Sequence, residues 1–407
     1  MDKITTTGNA GPKVRSDCEI TLEIKSSGGI SIDLKSKVKA LYCDSITSEC
    51  LEILEHFKIK NATLQVSDSG ALPFVIAARL EAAIARLTGS EIQYLPEKQL
   101  PDYGTEKERF RFSRLYLPGN NPSLMINAGL HSADGIILDL EDSVAPERKD
   151  EARILVRNAL RQVDFCGAER MVRINQGIKG IEDLKYVIPH NVNLILVPKC
   201  ESGEEIKAVV EEISSLRKSS KQKNPVWLMP IIESAKGVES CYEIITSSHD
   251  VVAVAIGLED YTSDIGVQRT SEGRESLYAR TRIVNAAKAA RIQPIDSVYS
   301  DVADNDGLRR NVQESKALGF EGMGCIHPRQ IAVIREGFSP SQEEIGKASK
   351  IVLAFEEASG KGLGVVALGS KMIDQPVVNR ALRTINLAVK LGMLGDNWRA
   401  EAAGEDH

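Results

Sequence analysis

The sequence predicts an α/β protein: a (β/α)8 TIM barrel with a C-terminal helical extension, preceded by a small α+β domain. Three observations predict it. Eight apolar runs between Arg114 and Ile326 alternate with polar loops and amphipathic helical segments; the first ninety residues change period several times; and a stretch rich in proline and charge separates the two regions. A chain of 407 residues is also long enough for two or three domains.

In the first region Ile20, Leu22 and Ile24 alternate with polar residues, as do Ile30, Ile32 and Leu34, which predicts two half-buried strands around a Ser26-Ser27-Gly28-Gly29 turn. Val38, Leu41, Ile46, Cys50, Ile53, Leu54 and Phe57 recur at helical spacing. A short strand, Ala62–Val66, and a second helix, Ala71–Leu87, complete a ββαβα unit ending near Gly89. The predicted domain covers 1–90, and the linker, with Leu95–Lys107 at its centre, covers 91–108.

The eight runs are Arg114–Leu117, Gly135–Leu140, Met171–Ile174, Leu194–Val197, Val226–Ile232, Val251–Leu258, Ile295–Tyr299 and Gly322–Ile326. Continuous apolar runs suit parallel strands covered by helices, and Arg148–Arg161, Glu204–Leu216 and Gly273–Ala290 are long enough for crossovers. An open doubly wound sheet is the alternative, but the first run leads into Pro118-Gly119-Asn120-Asn121 rather than a glycine-rich phosphate loop. The barrel is predicted over 109–340. In the extension, 341–407, a capping box at Ser341–Glu344 starts one helix, a glycine-rich strand follows, and a last helix runs to about Leu391.

A hydrophobic content of 42% and a charged content of 27% predict a folded soluble chain, and a formal charge of −6 gives no general reason to bind nucleic acid or an anionic membrane. The seven scattered cysteines contain no C-x-x-C pair and read as reduced thiols, so a cytoplasmic location is expected. No apolar run reaches the ~18 residues of a membrane span.

In such a barrel the strand ends converge on one mouth. Asp139-Leu140-Glu141-Asp142, Arg173, Lys199, Glu233 and Asp260 fall there, Arg114 opens the first strand and His327 follows the eighth. Glu233 and Asp260 end adjacent strands and can share a cation, for which all-oxygen ligation suits Mg2+. They read equally as solvated loop acids or ion-pair partners of Arg173 and Lys199. Arg173 can hold a carboxylate with its fork, or pair structurally with an acid of Asp139–Asp142. His327 reads as a loop residue making a structural hydrogen bond.

At these residues the chain resembles the citrate lyase beta subunit family, the citryl thioester lyases related to malyl-CoA and citramalyl-CoA lyases. The resemblance runs through Arg114-Leu115-Tyr116-Leu117-Pro118-Gly119, Asp139-Leu140-Glu141-Asp142, Val172-Arg173-Ile174-Asn175 and Val197-Pro198-Lys199. It continues through Ile232-Glu233-Ser234, Gly257-Leu258-Glu259-Asp260, Ile326-His327-Pro328-Arg329-Gln330 and Lys371-Met372-Ile373-Asp374. It implies that Glu233 and Asp260 bind Mg2+, Arg173 the substrate carboxylate and Arg114 the thioester end. Lys199 would serve the phosphates of the thiol carrier, and Asp374 would act as acid/base, often at a neighbouring subunit's site. It further implies retro-aldol cleavage of a citryl thioester to oxaloacetate and acetyl thioester, and a homotrimer or larger oligomer.

Residues 8–89 resemble the citrate lyase gamma subunit, an acyl carrier protein, through Gly11–Asp17 and Asp68-Ser69-Gly70-Ala71-Leu72. The resemblance implies a phosphoribosyl-dephospho-CoA arm and a separate acyl-exchange alpha subunit as partner. Arg15 stands where the family pattern places the modified serine, and Ser16 is one position off register. Arginine cannot accept the phosphodiester link. Two other readings stand beside citryl cleavage: a malyl-CoA or citramalyl-CoA lyase or thioesterase using free CoA esters, and a non-enzymatic assembly scaffold.

Overall fold

The computed structural model describes residues 4–99, 101–362, 364–368 and 371–399. It divides into two compact units, 1–331 and 332–407.

The first unit begins with β1 (Ile4–Gly8), β2 (Cys18–Ile24), β3 (Ile30–Ser36), α1 (Lys39–His56), β4 (Ala62–Asp68) and α2 (Pro73–Thr88). The sheet order is β1-β2-β4-β3, with β4 antiparallel to β2 and parallel to β3. The two alternating runs of the sequence are therefore not a hairpin, because β4 lies between them. Cys18, Ile20, Leu22, Leu64 and Val66 bury one sheet face against Cys50, Ile53 and Leu54 of α1 and Ile76, Leu80 and Ile84 of α2. Helix α2 is buried on every side from Phe74 to Ile84. A helix apolar all round needs two partners, and the second is the first long helix of the barrel.

The barrel strands are β5 (Ser113–Pro118), β6 (Gly135–Asp139), β7 (Glu169–Arg173), β8 (Leu194–Val197), β9 (Trp227–Ile232), β10 (Ala253–Ile256), β11 (Gln293–Ile295) and β12 (Met323–Cys325). All neighbours are parallel, in the order β11-β10-β9-β8-β7-β6-β5-β12, and a bridge between Asp296 and Met323 joins the two ends of the row. Their helices are the short α3 (Pro122–Met125), then α4 (Lys149–Gln162), α5 (Gly177–Val187), α6 (Gly203–Ser220), α7 (Ala235–Thr246), α8 (Leu258–Asp264), α9 (Leu277–Ala290), α10 (Asn305–Leu318) and α11 (Arg329–Phe338). Alternate residues such as Ile137, Met171, Leu194, Leu196, Met229 and Ile295 fill the interior, as strand geometry requires of a small packed barrel.

The N-terminal domain is fastened to α4 by buried ion pairs. Arg79 makes two 3.0 Å bonds to Asp17, reaches Glu151 at 3.5 Å and donates to the Asn120 carbonyl at 2.9 Å. Arg157 makes two 2.7 Å bonds to Glu81. Asn158 donates to the Phe74 carbonyl, and the Gly8 amide to Glu151.

Residues 91–108, the expected linker, run along the barrel. Arg161 donates to the Pro96 carbonyl at 2.6 Å, the Gln99 amide to Arg161, Tyr103 Oη to the Ala168 carbonyl and Thr105 Oγ1 to Glu169. The segment is irregular because Pro96 and Pro101 interrupt regular pairing, yet its polar groups are satisfied by the barrel.

In the second unit, the capping box at Ser341 and Glu344 forms and opens α12 (Gln342–Gly360). The strands β13 (Val366–Leu368) and β14 (Lys371–Ile373) pair antiparallel, and α13 (Gln375–Lys390) follows. Ile345, Ala348 and Val352 of α12 pack with Ala381, Ile385 and Ala388 of α13 and with Trp398. No helix among the described residues is long and apolar enough to cross a membrane.

Candidate active site

Each polar side chain at the barrel mouth is set by its strand end. β6 and β7 align Asp139 directly with Arg173, and on parallel neighbours such residues point to the same side. The Arg173 fork closes on Asp139 with bonds of 2.6 and 2.7 Å, and Nη1 lies 2.9 Å from Glu141. Burial opposes the charge of Asp139, but the paired guanidinium outweighs it and holds the carboxyl below its ordinary value. Burial likewise opposes the Arg173 charge, and Asp139 outweighs it. The pair with Asp139 is formed, and Arg173 also lines the inner cavity.

Lys199 follows β8 in the left-handed region, at φ 50°. This is an unusual backbone for a lysine, of the kind that clusters at functional sites. Its amide donates to Glu233 Oε2 at 2.9 Å. Its ammonium lies 3.4 Å from Glu141, 3.5 Å from Asp142 and 3.4 Å from Asp260. Burial opposes the charge, but these carboxylates and Glu233 hold the ammonium above its usual range. Lys199 also lines the larger of the two cavities at the mouth.

Glu233 sits between the end of β9 and Ser234, whose side chain caps α7 by accepting from the Gly237 amide. The carboxylate is buried, and this desolvation pushes its pKa up to about 7. Its seat depends on Gly257, since a Cβ there would come within 2.3 Å of Oε1. Asp260 lies in the first turn of α8 and is more exposed. Both acids line two adjoining cavities. The inner one, about 240 Å3, is also lined by Arg114, Tyr116, Arg173 and Ser297. The outer one, about 930 Å3, is also lined by Ile178, Ile181, Lys199, Val209 and Ser234.

Asp139, Glu141, Asp142, Glu233 and Asp260 stand against the cations Arg114, Arg173 and Lys199, a formal excess of two negative charges when every acid is ionised. The other acids of the rim have their own partners: Asp296 pairs with Arg280, and Glu259 with Arg269. Among the described residues no group of three or more His, Cys, Asp or Glu is arranged to hold a metal. Glu233 and Asp260 therefore fit an ion that takes one or two protein carboxylates and completes an octahedron with water and substrate, as Mg2+ does. Zinc would demand more protein ligands.

Arg114 lies deep in the barrel. It is 1% exposed and lies four residues below the mouth on β5, in register with Gly135. It lines the floor of the inner cavity. Tyr116 was missed by sequence reasoning. Its signal was position, since 114, 116 and 118 share one strand face, and its ring lies 5.4 Å from the Arg173 guanidinium. Ser297, whose Oγ accepts from the Leu258 amide at 3.2 Å, carried no signal in the sequence.

His327 is the loop residue expected, its Nδ1 accepting from the Arg329 amide at 3.2 Å. Ser16 lies in the N-terminal domain with φ 55°, its amide bonded to the Ser69 carbonyl, and Arg15 beside it is exposed. Neighbouring Asp17 is joined through Arg79 to Asn120, in the loop that follows β5 at the mouth side. Asp374 belongs to the second unit, where it caps α13 by accepting from the Val377 amide at 3.2 Å.

The model of the HpcH/HpaI aldolase/citrate lyase family matches residues 113–328, and that of the malonate decarboxylase delta subunit (MdcD) matches residues 5–87. The chain is 38% identical over 292 residues to the citrate lyase subunit beta of Leuconostoc mesenteroides subsp. cremoris, covering 69% of this chain and 94% of the relative. It is 35% identical over 322 residues to the mitochondrial citramalyl-CoA lyase of Homo sapiens, covering 76% and 95%. Among solved structures, it is similar to the CitE protein of Mycobacterium tuberculosis in complex with magnesium, acetoacetate and coenzyme A. That match has a TM-score of 0.58 and 28% identity, covering 70% of this chain and 99% of the other.

Proposed function

The chain belongs to the HpcH/HpaI aldolase/citrate lyase family, and on that premise we propose that it is a Mg2+-dependent carbon–carbon lyase cleaving a citryl thioester to oxaloacetate and an acetyl thioester. The observation that carries this reading is the pair Glu233 and Asp260, which border both cavities in a site with a formal excess of two negative charges. A small inner chamber, into which Arg114, Arg173 and the two acids bring charge, suits the keto-acid half of the substrate. The larger outer groove, with Ile178, Ile181 and Val209, suits a thiol arm.

Glu233 and Asp260 would hold Mg2+, which when bound supplies Lewis acidity toward the substrate hydroxyl and its adjacent carboxylate. Arg173, kept charged by Asp139, contributes positive potential at the same wall. As the hydroxyl proton passes to solvent water and the carbon–carbon bond breaks, the hydroxyl carbon becomes the keto carbon of oxaloacetate. The electron pair is left on the carbon next to the thioester. Asp374, acting as general acid, delivers a proton to that carbon, and the resemblance assigns this residue to a neighbouring subunit's site in a trimer or larger assembly. A separate acyl-exchange subunit would renew the citryl thioester.

Arg15, at the position of the modified serine, favours a second reading in which the barrel takes a free CoA ester and the N-terminal domain is a fixed part of the architecture. Ser16 remains the candidate for a phosphoribosyl-dephospho-CoA arm, on the side of the domain joined to the mouth loop. Incubation of the whole chain with Mg2+ and, separately, citryl-CoA, citramalyl-CoA and malyl-CoA tests the acyl group. Oxaloacetate as the main keto acid is the expected outcome, and pyruvate or glyoxylate in its place contradicts it.

A further inference from the structure

The Arg114 guanidinium is a buried cation without a counter-charge. No carboxylate pairs with it among the described residues, Nε has no hydrogen-bond partner, and Nη1 meets only the Met229 sulfur at 2.9 Å. Of the other buried arginines of this unit, Arg79, Arg111, Arg157 and Arg280 each hold a carboxylate, and Arg170, which pairs with none, donates to Asn193 Oδ1 and the Tyr103 carbonyl and stacks on the Tyr103 ring. Burial, with a smaller contribution from Arg111, pushes the Arg114 pKa down to about 10, which leaves it charged at neutral pH. An unpaired buried charge is costly, and proteins that retain one use it.

The barrel also makes room for this side chain. Arg114 is in register with Gly135 on one neighbouring strand and Gly324 on the other. A Cβ at Gly135 would lie 2.5 Å from Met171 and 3.4 Å from Arg114 Cγ, and one at Gly324 would lie 3.0 Å from the Tyr116 ring. Larger residues at either position would crowd the floor that Arg114 lines.

We infer that Arg114 forms a second carboxylate subsite, at the inner end of the cavity opposite the mouth, and that it selects substrates whose keto-acid half carries a second carboxylate. The inference rests on the lyase reading above and deepens it. With the hydroxyl and its adjacent carboxylate at Glu233 and Asp260, and the thioester directed to the outer groove, one substituent is left to face the floor. In a citryl thioester that substituent is a carboxymethyl group; in citramalyl it is methyl, and in malyl hydrogen. A site built around a buried donor penalises an analogue that leaves it unpaired. Arg114 is thus a specificity residue, and methyl or hydrogen would leave its charge unanswered.

Binding of oxaloacetate and of pyruvate to the full chain with Mg2+, measured by calorimetry, decides the matter without requiring turnover. The wild-type chain is expected to bind oxaloacetate at least about 100-fold more tightly than pyruvate. In Arg114→Met the ratio should collapse toward one, and Arg114→Lys, which keeps the charge but not the fork, should recover part of it. A ratio near one in the wild type, or a large ratio unchanged in Arg114→Met, overturns the inference. If Arg114→Met does not fold, Arg114→Lys and the wild-type ratio carry the test. The lyase reading fails separately, when the wild type cleaves no thioester; a persisting Arg114-dependent ratio would then still support the subsite.

Discussion

Glu233→Gln is expected to lower Mg2+-dependent thioester cleavage by about three orders of magnitude or more, because it removes one of the two carboxylates available to the ion. The same substitution should stabilise the metal-free protein at alkaline pH. Burial raises the Glu233 pKa from 4.5 to about 7, so the folded state binds this proton more tightly than the unfolded chain does. The stabilisation contributed by the neutral form is complete below about pH 4.5 and is lost as pH rises through about 7. At pH 8 without metal, the ionised side chain therefore costs the fold on the order of 3 kcal/mol. Glutamine cannot ionise. Melting curves in EDTA should show the variant gaining on the wild type between pH 5 and pH 8, and Mg2+ should stabilise only the wild type. A stability gap that does not change with pH would contradict the assignment of Glu233 as the desolvated acid of the site.

Arg79→Ala should be the most damaging change far from the chemistry. It strands Asp17, which is buried, and leaves Glu151 with Arg148 alone. Removing one member of a buried pair costs about 3–5 kcal/mol. Denaturant unfolding should show a loss of that order, together with new protease cutting within residues 91–108, as the N-terminal domain loosens from α4. Lys98→Ala is the control: its pair with Asp102 is about one-third exposed, and less than about 1 kcal/mol is expected. Equal effects from the two substitutions would mean that the buried contact does not fasten the domain. Because the domain is docked rather than tethered, delivery of a thioester to the mouth would depend on movement of an attached arm and not of the domain.

The barrel was legible because its strands are short, largely buried on both faces and, β7 with Glu169, Arg170 and Arg173 apart, mostly apolar. Leu194–Val197 has the same limits in sequence and structure, and most others agree within one or two residues. The exceptions have local causes. The run ending at Tyr299 gives way after Ile295, where Asp296 turns to Arg280 and Ser297 takes the Leu258 amide. In the run from Val251 to Leu258, Val251 makes only an isolated bridge and Leu258 already opens α8. β1 escaped notice because Ile-Thr-Thr-Thr-Gly has no apolar alternation.

The candidate acids were equally readable, because residue type and strand-end position suffice to place Glu233 and Asp260 at one mouth. Their partners were not. That Arg173 meets Asp139 depends on the β6/β7 register, and the burial of Arg114 depends on glycines about twenty and about two hundred residues further along the chain. The docking of the first domain was written in α2, whose Phe-Val-Ile-Ala-Ala-Arg-Leu-Glu-Ala-Ala-Ile run is apolar on faces that a free carrier would expose. Its two charged residues find their partners only in the fold.

The most direct test of the account is oxaloacetate release from citryl-CoA by the EDTA-stripped full chain as Mg2+ is returned. No release before addition, and a saturable recovery after it, is the predicted result. Cleavage that proceeds equally in EDTA, or that Mg2+ fails to restore, would contradict the placing of a metal-dependent lyase at Glu233 and Asp260.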